Sequence, residues 1–275
     1  MERFCEPFLP KGRVRRAFIS KLMPDNIVAE LNDMGVITYK LGKSANLSGE
    51  TAYHPDMLVN NYRYGQWICE YNAQYLPKEF PYRSIFIESE KELGDLYPDN
   101  CIFNNFRLNG TLFCGMYADR QIKSYSMYDG LQMKFCSQAY VKCSCVIVAQ
   151  RAAITSDKQI GKYMRMFGID VLMLPDEDDI GLSNLSHGLL GGCTGLLSKD
   201  LLAFTGNLAT YKYGNDVVDF CKDHGVDAYS LTRDYMYDYG GILPITELVP
   251  FEEQDNAQIG FDTLIAQNPE HLFNN

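Results

Sequence analysis

The sequence has no long apolar run, no surplus of basic residues and no Cys-x-x-Cys pair. No stretch approaches the ~20 consecutive apolar residues that a membrane-spanning helix needs. The 25 Lys and Arg residues are outnumbered by 35 Asp and Glu residues, which gives a formal net charge of −10. A chain this acidic is repelled by phosphate backbones and by anionic bilayers. The composition therefore argues against nucleic-acid and membrane partners.

The N-terminal residues and the cysteines favour a cytoplasmic protein. The first sixteen residues, MERFCEPFLPKGRVRR, hold no apolar stretch between their charges and a cleavage site, so a secretory signal is not expected. The nine cysteines are odd in number, and the closest two, Cys143 and Cys145, are two residues apart. That spacing does not build a four-ligand zinc site. We expect reduced, buried thiols and predict neither a metal nor a cofactor.

A strand–helix–strand pattern recurs along the chain. In each copy an apolar run precedes a helix of 3.6-residue period, the helix stops at a glycine, and a second apolar run follows. Three clear copies lie at residues 17–41, 152–174 and 201–231. A weaker copy lies at residues 119–136, and an eroded copy lies within residues 60–112. Between the copies, further strands are predicted at residues 53–59, 103–114, 139–149 and 189–197. The repeating module is therefore about fifty residues long.

Five such modules favour a closed ring. One module cannot bury both faces of its sheet, so the modules must pack against one another. A ring leaves no open end, and we therefore predict an α/β fold of the five-bladed β/α propeller type, with pseudo-fivefold repeats around a central channel. The alternative is a single doubly wound α/β sheet, which also contains strand–helix–strand units. No linker interrupts the chain, which predicts one domain over residues 1–275.

In a ring, the loops that follow the inner strands meet at one mouth, and each module can contribute polar residues there. Those positions are rich in Cys, His and Asp, the residue types of a nucleophile, a proton carrier and carboxylates that hold a cation. The candidate residues are His54, Asp56, Asp99, Asn104, Lys142, Cys143, His187, Cys193 and Asp238.

His54 and Asp56 form the most distinctive pair. On a strand, residues two apart share a face, so both side chains would reach one ligand. Histidine titrates near neutral pH and moves protons, while a carboxylate accepts two hydrogen bonds from a guanidinium. Because Pro55-Asp56 is also a common turn dipeptide, a purely structural turn remains the alternative.

Two cysteines are candidate nucleophiles. Cys143 follows Lys142, whose ammonium would lower the pKa of a nearby thiol; the alternative is a buried strand cysteine with Lys142 on the opposite face. Cys193 lies in Gly191-Gly192-Cys193-Thr194-Gly195, which fits the nucleophile elbow of α/β hydrolases. That elbow needs a following helix, whereas residues 196–202 predict a hairpin. The glycines are better explained by a close approach of the backbone to a ligand or a neighbouring module.

The acidic run Asp176-Glu177-Asp178-Asp179 lacks the spacing and the glycine of an EF-hand loop. We interpret it as a solvated loop.

An ordered series of motifs resembles one bacterial family of unknown function with the guanidino-group modifying enzyme fold, also called the pentein fold. The resemblance covers about residues 15–248, and the motifs are HPDM at 54–57, AYVKCSCVIV at 139–148, AAITSDKQIGKYMRMFGIDVLML at 152–174, GLLGGCTG at 188–195, LLAFTGNL at 201–208 and DYGGILP at 238–244. It implies a five-bladed β/α propeller. The wider superfamily contains deiminases, dimethylarginine hydrolases and amidinotransferases, in which a cysteine attacks the guanidinium carbon and a histidine, often in His-x-Asp, moves protons.

This sequence departs from that superfamily at the nucleophile. The superfamily cysteine follows a glycine pair in the last module, and the comparable stretch here, Gly240 to Thr246, has Pro244 near that position. A cysteine from another module would have to take the role.

Two functions follow as hypotheses. The first is a Cys-dependent hydrolase or transferase acting on a small guanidine, amidine or amide. In it Cys143 is the nucleophile, His54 the general acid and base, and Asp56 and Asp99 hold the cation. The further substrate-binding candidates are Asn104, Lys142, Cys193 and Asp238. The second is a catalytically silent ring that binds a small ligand or a protein through its mouth. The sequence leaves the oligomeric state open.

Overall fold

Short strands and helices form five small sheets. The computed structural model describes residues 1–79, 84–183 and 185–250. Within these residues the strands, in chain order, are β1 (Glu2–Phe4), β2 (Arg13–Ser20), β3 (Ile37–Leu41), β4 (Val59–Arg63), β5 (Gln66–Cys69), β6 (Ile85–Glu88), β7 (Phe106–Leu108), β8 (Thr111–Gly115), β9 (Gln132–Cys136), β10 (Val146–Ala149), β11 (Ala152–Thr155), β12 (Asp170–Met173), β13 (Thr194–Ser198), β14 (Leu201–Phe204), β15 (Asp227–Ser230) and β16 (Leu243–Leu248). The α-helices are α1 (Asp25–Asp33), α2 (Pro55–Leu58), α3 (Arg120–Tyr128), α4 (Lys158–Met166) and α5 (Gly214–Asp223). Residues 251–275, which belong to the single domain expected from the sequence, lie outside the described residues.

Four of the five sheets share one three-stranded topology. Each begins with an antiparallel hairpin, and its third strand runs parallel to the second strand of that hairpin; the orders are β4-β5-β6, β7-β8-β9, β10-β11-β12 and β13-β14-β15. Ala153, for example, lies opposite Ile147 in β10 and opposite Val171 in β12. Parallel neighbours need a crossover, and α3, α4 and α5 supply it in three of these sheets. The alternative of a single doubly wound sheet is therefore wrong.

The fifth sheet combines both ends of the described chain. Its order is β1-β16-β2-β3, with α1 crossing between the parallel strands β2 and β3. β16 runs antiparallel to β2, with Leu243 opposite Phe18, and so takes the position that the first hairpin strand holds in the other sheets. β1 extends the sheet, with Glu2 opposite Leu248. The unit predicted at residues 17–41 is therefore completed by residues from the far end of the sequence.

The helix boundaries follow the local signals in the sequence. The Asp157 side chain accepts a hydrogen bond from the backbone N–H of Ile160 across 2.7 Å and caps α4, a role for which aspartate is well suited. The glycines that follow four of the helices all have a positive φ, between +72° and +87°: Gly35, Gly130, Gly168 and Gly225. A side chain at such a position is strained, so the prediction of glycine-terminated helices is confirmed.

Three segments predicted as strands differ in the structure. The chain forms a 3₁₀ turn at Glu50–Tyr53 followed by α2, and β4 begins only at Val59. The strand predicted at residues 53–59 is therefore wrong for residues 53–58. Pro55 is the physical reason, because proline at the first position of a helix loses no hydrogen bond and has a helical φ. Likewise, a turn at residues 141–144 precedes β10, and the 3₁₀ helix Leu190–Cys193 precedes β13. An apolar run does not distinguish a buried turn from a buried strand.

The apolar core lies between neighbouring sheets. Phe18 on β2 and Trp67 on β5 are both fully buried, and their ring centroids lie 4.9 Å apart in an edge-to-face arrangement. All nine cysteines are free and buried, as the sequence predicts. None of the helices within the described ranges has the length and hydropathy of a transmembrane span.

Candidate functional site

The candidate residues lie in five equivalent loops, one ahead of the first strand of each unit. The sequence interpretation put these loops after the inner strands; the structure puts them before. The loops and their polar or glycine residues are His54 and Asp56 before β4, Asn104 before β7, Lys142 and Cys143 before β10, Gly191 and Gly192 before β13, and Asp238 and Gly240 before β16. Hydrogen bonds and one ionic contact connect residues of all five loops.

The sulfur of Cys143 lies between a carboxylate and an amide. Its thiol donates to Oδ2 of Asp56 across 3.2 Å, and Nδ2 of Asn104 donates to Sγ across 2.9 Å. The same Asn104 accepts, through Oδ1, the backbone N–H groups of Lys142 at 2.7 Å and Cys143 at 3.1 Å. Cys143 is 3% exposed. Asn104 therefore holds both the backbone and the sulfur of this residue.

Asp56 is a buried carboxylate with one oxygen unused. It lies in the first turn of α2, and its backbone N–H donates to the carbonyl of Gly240 across 3.2 Å. Oδ1 is buried and has no hydrogen-bond partner among the described residues. Burial raises the pKa of Asp56 to about 6, against the opposing charges of Lys142 and His54. The group is mostly ionised at neutral pH, yet basic enough to take a proton.

Burial also acts on the thiol. It raises the pKa of Cys143 well above the ordinary value of a cysteine, and the negative charges of Asp56 and Asp238 act in the same direction. Lys142 opposes them. In this closed arrangement the sulfur holds its proton and donates it to Asp56. The cluster is therefore a thiol hydrogen-bonded to a base, and not a preformed thiolate.

His54 faces Asp238, which lies in the loop before β16. Nδ1 of His54 lies 3.6 Å from Oδ1 of Asp238, which is an ionic contact when the ring is protonated and too long for a hydrogen bond. Both oxygens of Asp238 are fixed: Oδ1 accepts the N–H of Gly240 and Oδ2 that of Leu189, each across 2.9 Å. Asp238 is thus a rigid neighbour of the imidazole.

Glycines allow the loops to approach this closely. A Cβ on Gly192 would lie 1.9 Å from Oδ1 of Asp238, and one on Gly191 would lie 2.4 Å from the carbonyl oxygen of Cys143. Gly240, at φ +75°, packs against His54, and a Cβ there would come within 2.4 Å of the histidine Cβ. The prediction that the glycines serve a close backbone approach between modules is confirmed.

The nucleophile elbow on Cys193 is wrong. Thr194–Ser198 and Leu201–Phe204 are paired strands, so the helix that the elbow needs does not follow. The Cys193 thiol is buried, and its hydrogen bond goes to the carbonyl of Leu189 across 3.5 Å. It is brought into the loop beside Asp238 but not into contact with Cys143.

Asp99 is not brought to the cluster. Its half-exposed carboxylate pairs with Lys91 across 2.6 Å, at the start of the 3₁₀ turn Asp99–Cys101. His187 is half-buried, with Nδ1 2.8 Å from the carbonyl oxygen of Gly188.

Sequence reasoning missed Glu177. The interpretation of its acidic run as a solvated loop holds for Asp176 and Asp178, whose carboxylates pair with Lys212, but Glu177 is only 3% exposed. Its Oε1 accepts the N–H of Leu190 across 3.3 Å, and its Oε2 is buried without a partner in the described residues. Burial raises the pKa of Glu177 to about 8. No local signal distinguishes this residue from its charged neighbours.

No group of three or more His, Cys, Asp or Glu side chains in the described part of the chain has the geometry of a metal site. A cavity of about 420 Å³ lies at the hairpin turns, where Arg63, Arg107 and Asp129 are among its lining residues. The clustered residues do not line that cavity, and Cys143 itself is 3% exposed.

A family profile matches residues 18–243, and its description is "Family of unknown function (DUF6873)". The chain belongs to this family. No curated protein matches the sequence.

The solved structures with a similar fold include an agmatine deiminase and an amidinotransferase. An agmatine deiminase of C. jejuni superposes with a TM-score of 0.50 at 9% identity, over 84% of this chain and 90% of the other. SxtG, an amidinotransferase of Microseira wollei from the saxitoxin biosynthetic pathway, gives 0.47 at 11% identity, over 82% and 91%. Both are pentein-fold enzymes. The resemblance to a pentein-type family of unknown function, inferred from the sequence motifs, is confirmed.

Proposed function

We propose that this protein is a five-bladed β/α propeller of the pentein type. In it the buried cluster around Cys143 catalyses hydrolysis or group transfer on a small guanidine, amidine or amide. Five sheets of matching topology and the pairing of β16 with β2 support the closed ring. The fold similarity to an agmatine deiminase supports the same architecture. Five loops that each precede the first strand of a unit would then meet at one end of a central channel.

The observation that carries the proposed activity is the environment of the Cys143 sulfur. A thiol that donates to a carboxylate is placed to lose its proton in the direction of that carboxylate. Asn104, the other neighbour of the sulfur, donates a hydrogen bond that stabilises the thiolate once it forms. The unpartnered Oδ1 of Asp56 is available to an N–H group of the substrate. This is a nucleophile, a base and a substrate anchor in direct contact.

The reaction proceeds in two halves. Cys143 attacks the carbon of the substrate C–N group; the S–C bond forms as the thiol proton passes to Asp56. The C–N bond then breaks, and the departing amine leaves with a proton supplied by His54. Water, or an acceptor amine in a transfer reaction, adds to the carbon, and its proton passes to His54. The S–C bond then breaks, and the sulfur takes back the proton held by Asp56, which restores the thiol. The carboxylate of Asp238 lies 3.6 Å from Nδ1 of His54, on one side of the imidazole.

Pro244 explains why the nucleophile lies in a different unit from that of the superfamily. The residue lies within β16, opposite Ala17 on β2, so the strand after the glycine pair offers no thiol. The Cys143 loop is the equivalent loop of another unit and directs its sulfur into the same cluster. In this proposal the chemistry is retained and the blade that provides it has changed.

Ammonia or amine release from a panel of small guanidines, amidines and primary amides tests the activity, with agmatine and arginine as its first members. We expect turnover of at least one member by the parent protein and none by Cys143→Ser. Cys145→Ser is the matched control, because Cys145 is also buried and lies two residues away. Equal turnover by parent and Cys143→Ser contradicts the proposal.

The closed state of the thiol favours a second candidate, a silent ring that binds a small ligand at this mouth. With its pKa well above the ordinary value, Cys143 is no thiolate in the closed arrangement. Alkylation near neutral pH separates the two. One fast thiol that disappears in Cys143→Ser supports the enzyme, while uniformly slow labelling of all nine thiols supports the binder.

A further inference from the structure

The ammonium group of Lys142 is buried beside Gly191, in one of the loops that form the cluster. The residue is 4% exposed, and in the described part of the chain it forms no ion pair. The one hydrogen bond of the ammonium to a described residue goes to the carbonyl oxygen of Gly191 across 3.0 Å, and Nζ lies 5.6 Å from the ring centroid of Phe8. An ammonium has three N–H donors, so two remain available. A buried charge with spare donors indicates that a ligand atom with lone pairs completes the site.

The acceptor and the donor in this cluster are complementary to an amide. Oδ1 of Asp56 is a buried acceptor without a partner, and Lys142 is a buried donor with unused hydrogens. A primary carboxamide or ureide offers N–H groups to the carboxylate and a carbonyl oxygen to the ammonium. A guanidinium offers N–H donors only and has no acceptor for Lys142. Hydrogen-bond complementarity therefore favours the carbonyl compound.

The charges of the cluster favour the same class. Asp238 is fully used, because its two oxygens accept the N–H groups of Gly240 and Leu189 and it faces His54. Of the two carboxylates that contact Cys143 or His54, Asp56 is the one that remains, and its charge is opposed by that of Lys142. At these two residues a cationic substrate would thus meet an ammonium and no uncompensated carboxylate. Like charges that are forced together away from water cost several kcal/mol.

We propose that the substrate group attacked by Cys143 is a neutral carboxamide or ureide, and that Lys142 donates to its carbonyl oxygen. The inference rests on the proposed function, since it needs Cys143 as the nucleophile. As the S–C bond forms, the thiol proton passes to Asp56 and the carbonyl π electrons move to oxygen, where the ammonium stabilises the negative charge. Collapse breaks the C–N bond, and the amine leaves with a proton from His54. Water then adds to the thioester, or to the thiocarbamate that a ureide gives, and its proton passes to His54. The S–C bond breaks to release a carboxylic or carbamic acid, and the sulfur takes back the proton held by Asp56.

Two alkylating probes of the same size test the substrate class. Chloroacetamide is neutral and carries a carbonyl, whereas chloroacetamidine is cationic and carries only N–H groups. Each alkylates a thiol with loss of chloride, so each rate is divided by the rate of the same probe with glutathione. Near neutral pH we expect the normalised rate at Cys143, located by peptide mass mapping, to be about tenfold or more higher for chloroacetamide.

Variants of Lys142 test the cause. Lys142→Met removes the charge from a side chain of similar length, and we expect it to lower the chloroacetamide rate, raise the chloroacetamidine rate and reverse the preference. Lys142→Arg keeps the charge and should keep the preference. The comparison in the parent protein needs no variant, so a misfolded variant does not remove the test.

The failures are distinguishable. If neither probe labels Cys143 faster than it labels Cys145, the nucleophile itself is wrong, and the proposed function falls together with this inference. If chloroacetamidine is preferred, or if Lys142→Met leaves the ratio unchanged, the thiol chemistry stands and the amide assignment is overturned.

Discussion

The thiol of Cys143 donates to the Asp56 carboxylate across 3.2 Å, although 87 residues separate the two in the chain. One residue belongs to the turn before β10 and the other to the short helix before β4. The hydrogen bond therefore joins the equivalent loops of two units. Any chemistry at Cys143 depends on how these units pack against one another.

Asp56→Asn removes the base and keeps the shape of the side chain. Because an amide cannot take the thiol proton, we expect the alkylation rate of Cys143 near neutral pH to fall by about 100-fold, the lower part of the range for positioned acid–base groups. Asp99→Asn is the control, since that carboxylate is half-exposed and pairs with Lys91. An unchanged rate in a folded Asp56→Asn protein would exclude Asp56 as the base.

The pH dependence of Cys143 labelling should follow Asp56. The pKa of this carboxyl is raised to about 6, so below that value it is protonated and cannot accept the thiol proton. We expect the rate to rise as the pH increases through about 6 and to level off before the thiol itself ionises. Asp56→Asn should lack this step. A parent profile that is flat between pH 5 and 7 would disagree with the assigned role.

Glu177 should make the protein less stable as the pH rises. Its pKa is about 8 in the folded protein against an ordinary value of 4.5, so the native state holds a proton that the unfolded chain has released between these values. Stability from this group is complete below pH 4.5 and is lost as the pH approaches 8. The loss is on the order of 5 kcal/mol at most, because each tenfold change in proton affinity corresponds to about 1.4 kcal/mol.

Urea unfolding of Glu177→Gln at several pH values measures this effect. The neutral glutamine lacks the decline, so the variant should gain stability relative to the parent between pH 5 and 8. Glu92→Gln, at an exposed position, should follow the parent at every pH. Parallel curves for Glu177→Gln and the parent would show that Glu177 is ionised in the folded protein.

Gly192→Ala should disrupt the cluster without replacing any titratable residue. The added Cβ would lie 1.9 Å from Oδ1 of Asp238, so the carboxylate must move away from His54. We expect a loss of about 1–3 kcal/mol in unfolding free energy, together with slower labelling of Cys143. At Gly42 the nearest atom to a Cβ is 3.4 Å away, and Gly42→Ala should be tolerated. Equal stability of the two variants would contradict the close packing described here.

Trp67 provides a test of the core between sheets. The indole is fully buried against Phe18, and its Nε1 has no hydrogen-bond partner in the described residues. Trp67→Ala should cost about 3–5 kcal/mol, whereas Trp67→Phe should cost less because it removes the unpaired N–H together with part of the ring. Denaturation followed by circular dichroism measures both. Similar losses for the two variants would mean that the polar N–H is satisfied in solution.

Local signals were sufficient for the modules. Glycines after the helices, such as Gly168, and the cap at Asp157 depend on backbone conformation within a few residues, and this information is carried by the sequence itself. The same holds for the inventory of the site, since His54, Asn104 and Cys143 recur at corresponding places in the repeats. The fold class and the candidate cluster were therefore predictable in outline.

The positions of individual side chains were not predictable in the same way. Glu177 points inward and Asp99 outward, although both lie in polar loops with similar composition. His54 meets Asp238 only because two distant loops pack together. Burial of this kind is decided by the tertiary arrangement, and the pattern of hydrophobic residues near each group does not carry it.

Residue 2 lies opposite residue 248 in the sheet that contains β1, β16 and β2. During synthesis β1 and β2 are thus made long before β16, the strand that pairs with both. They can complete this sheet only after nearly all of the described residues have been synthesised. Contacts this remote in the chain slow folding, because a long loop must close before any energy is gained. The other four sheets are each complete within a single continuous stretch. We therefore expect folding to begin in the middle of the molecule and to end where its first strands meet its last.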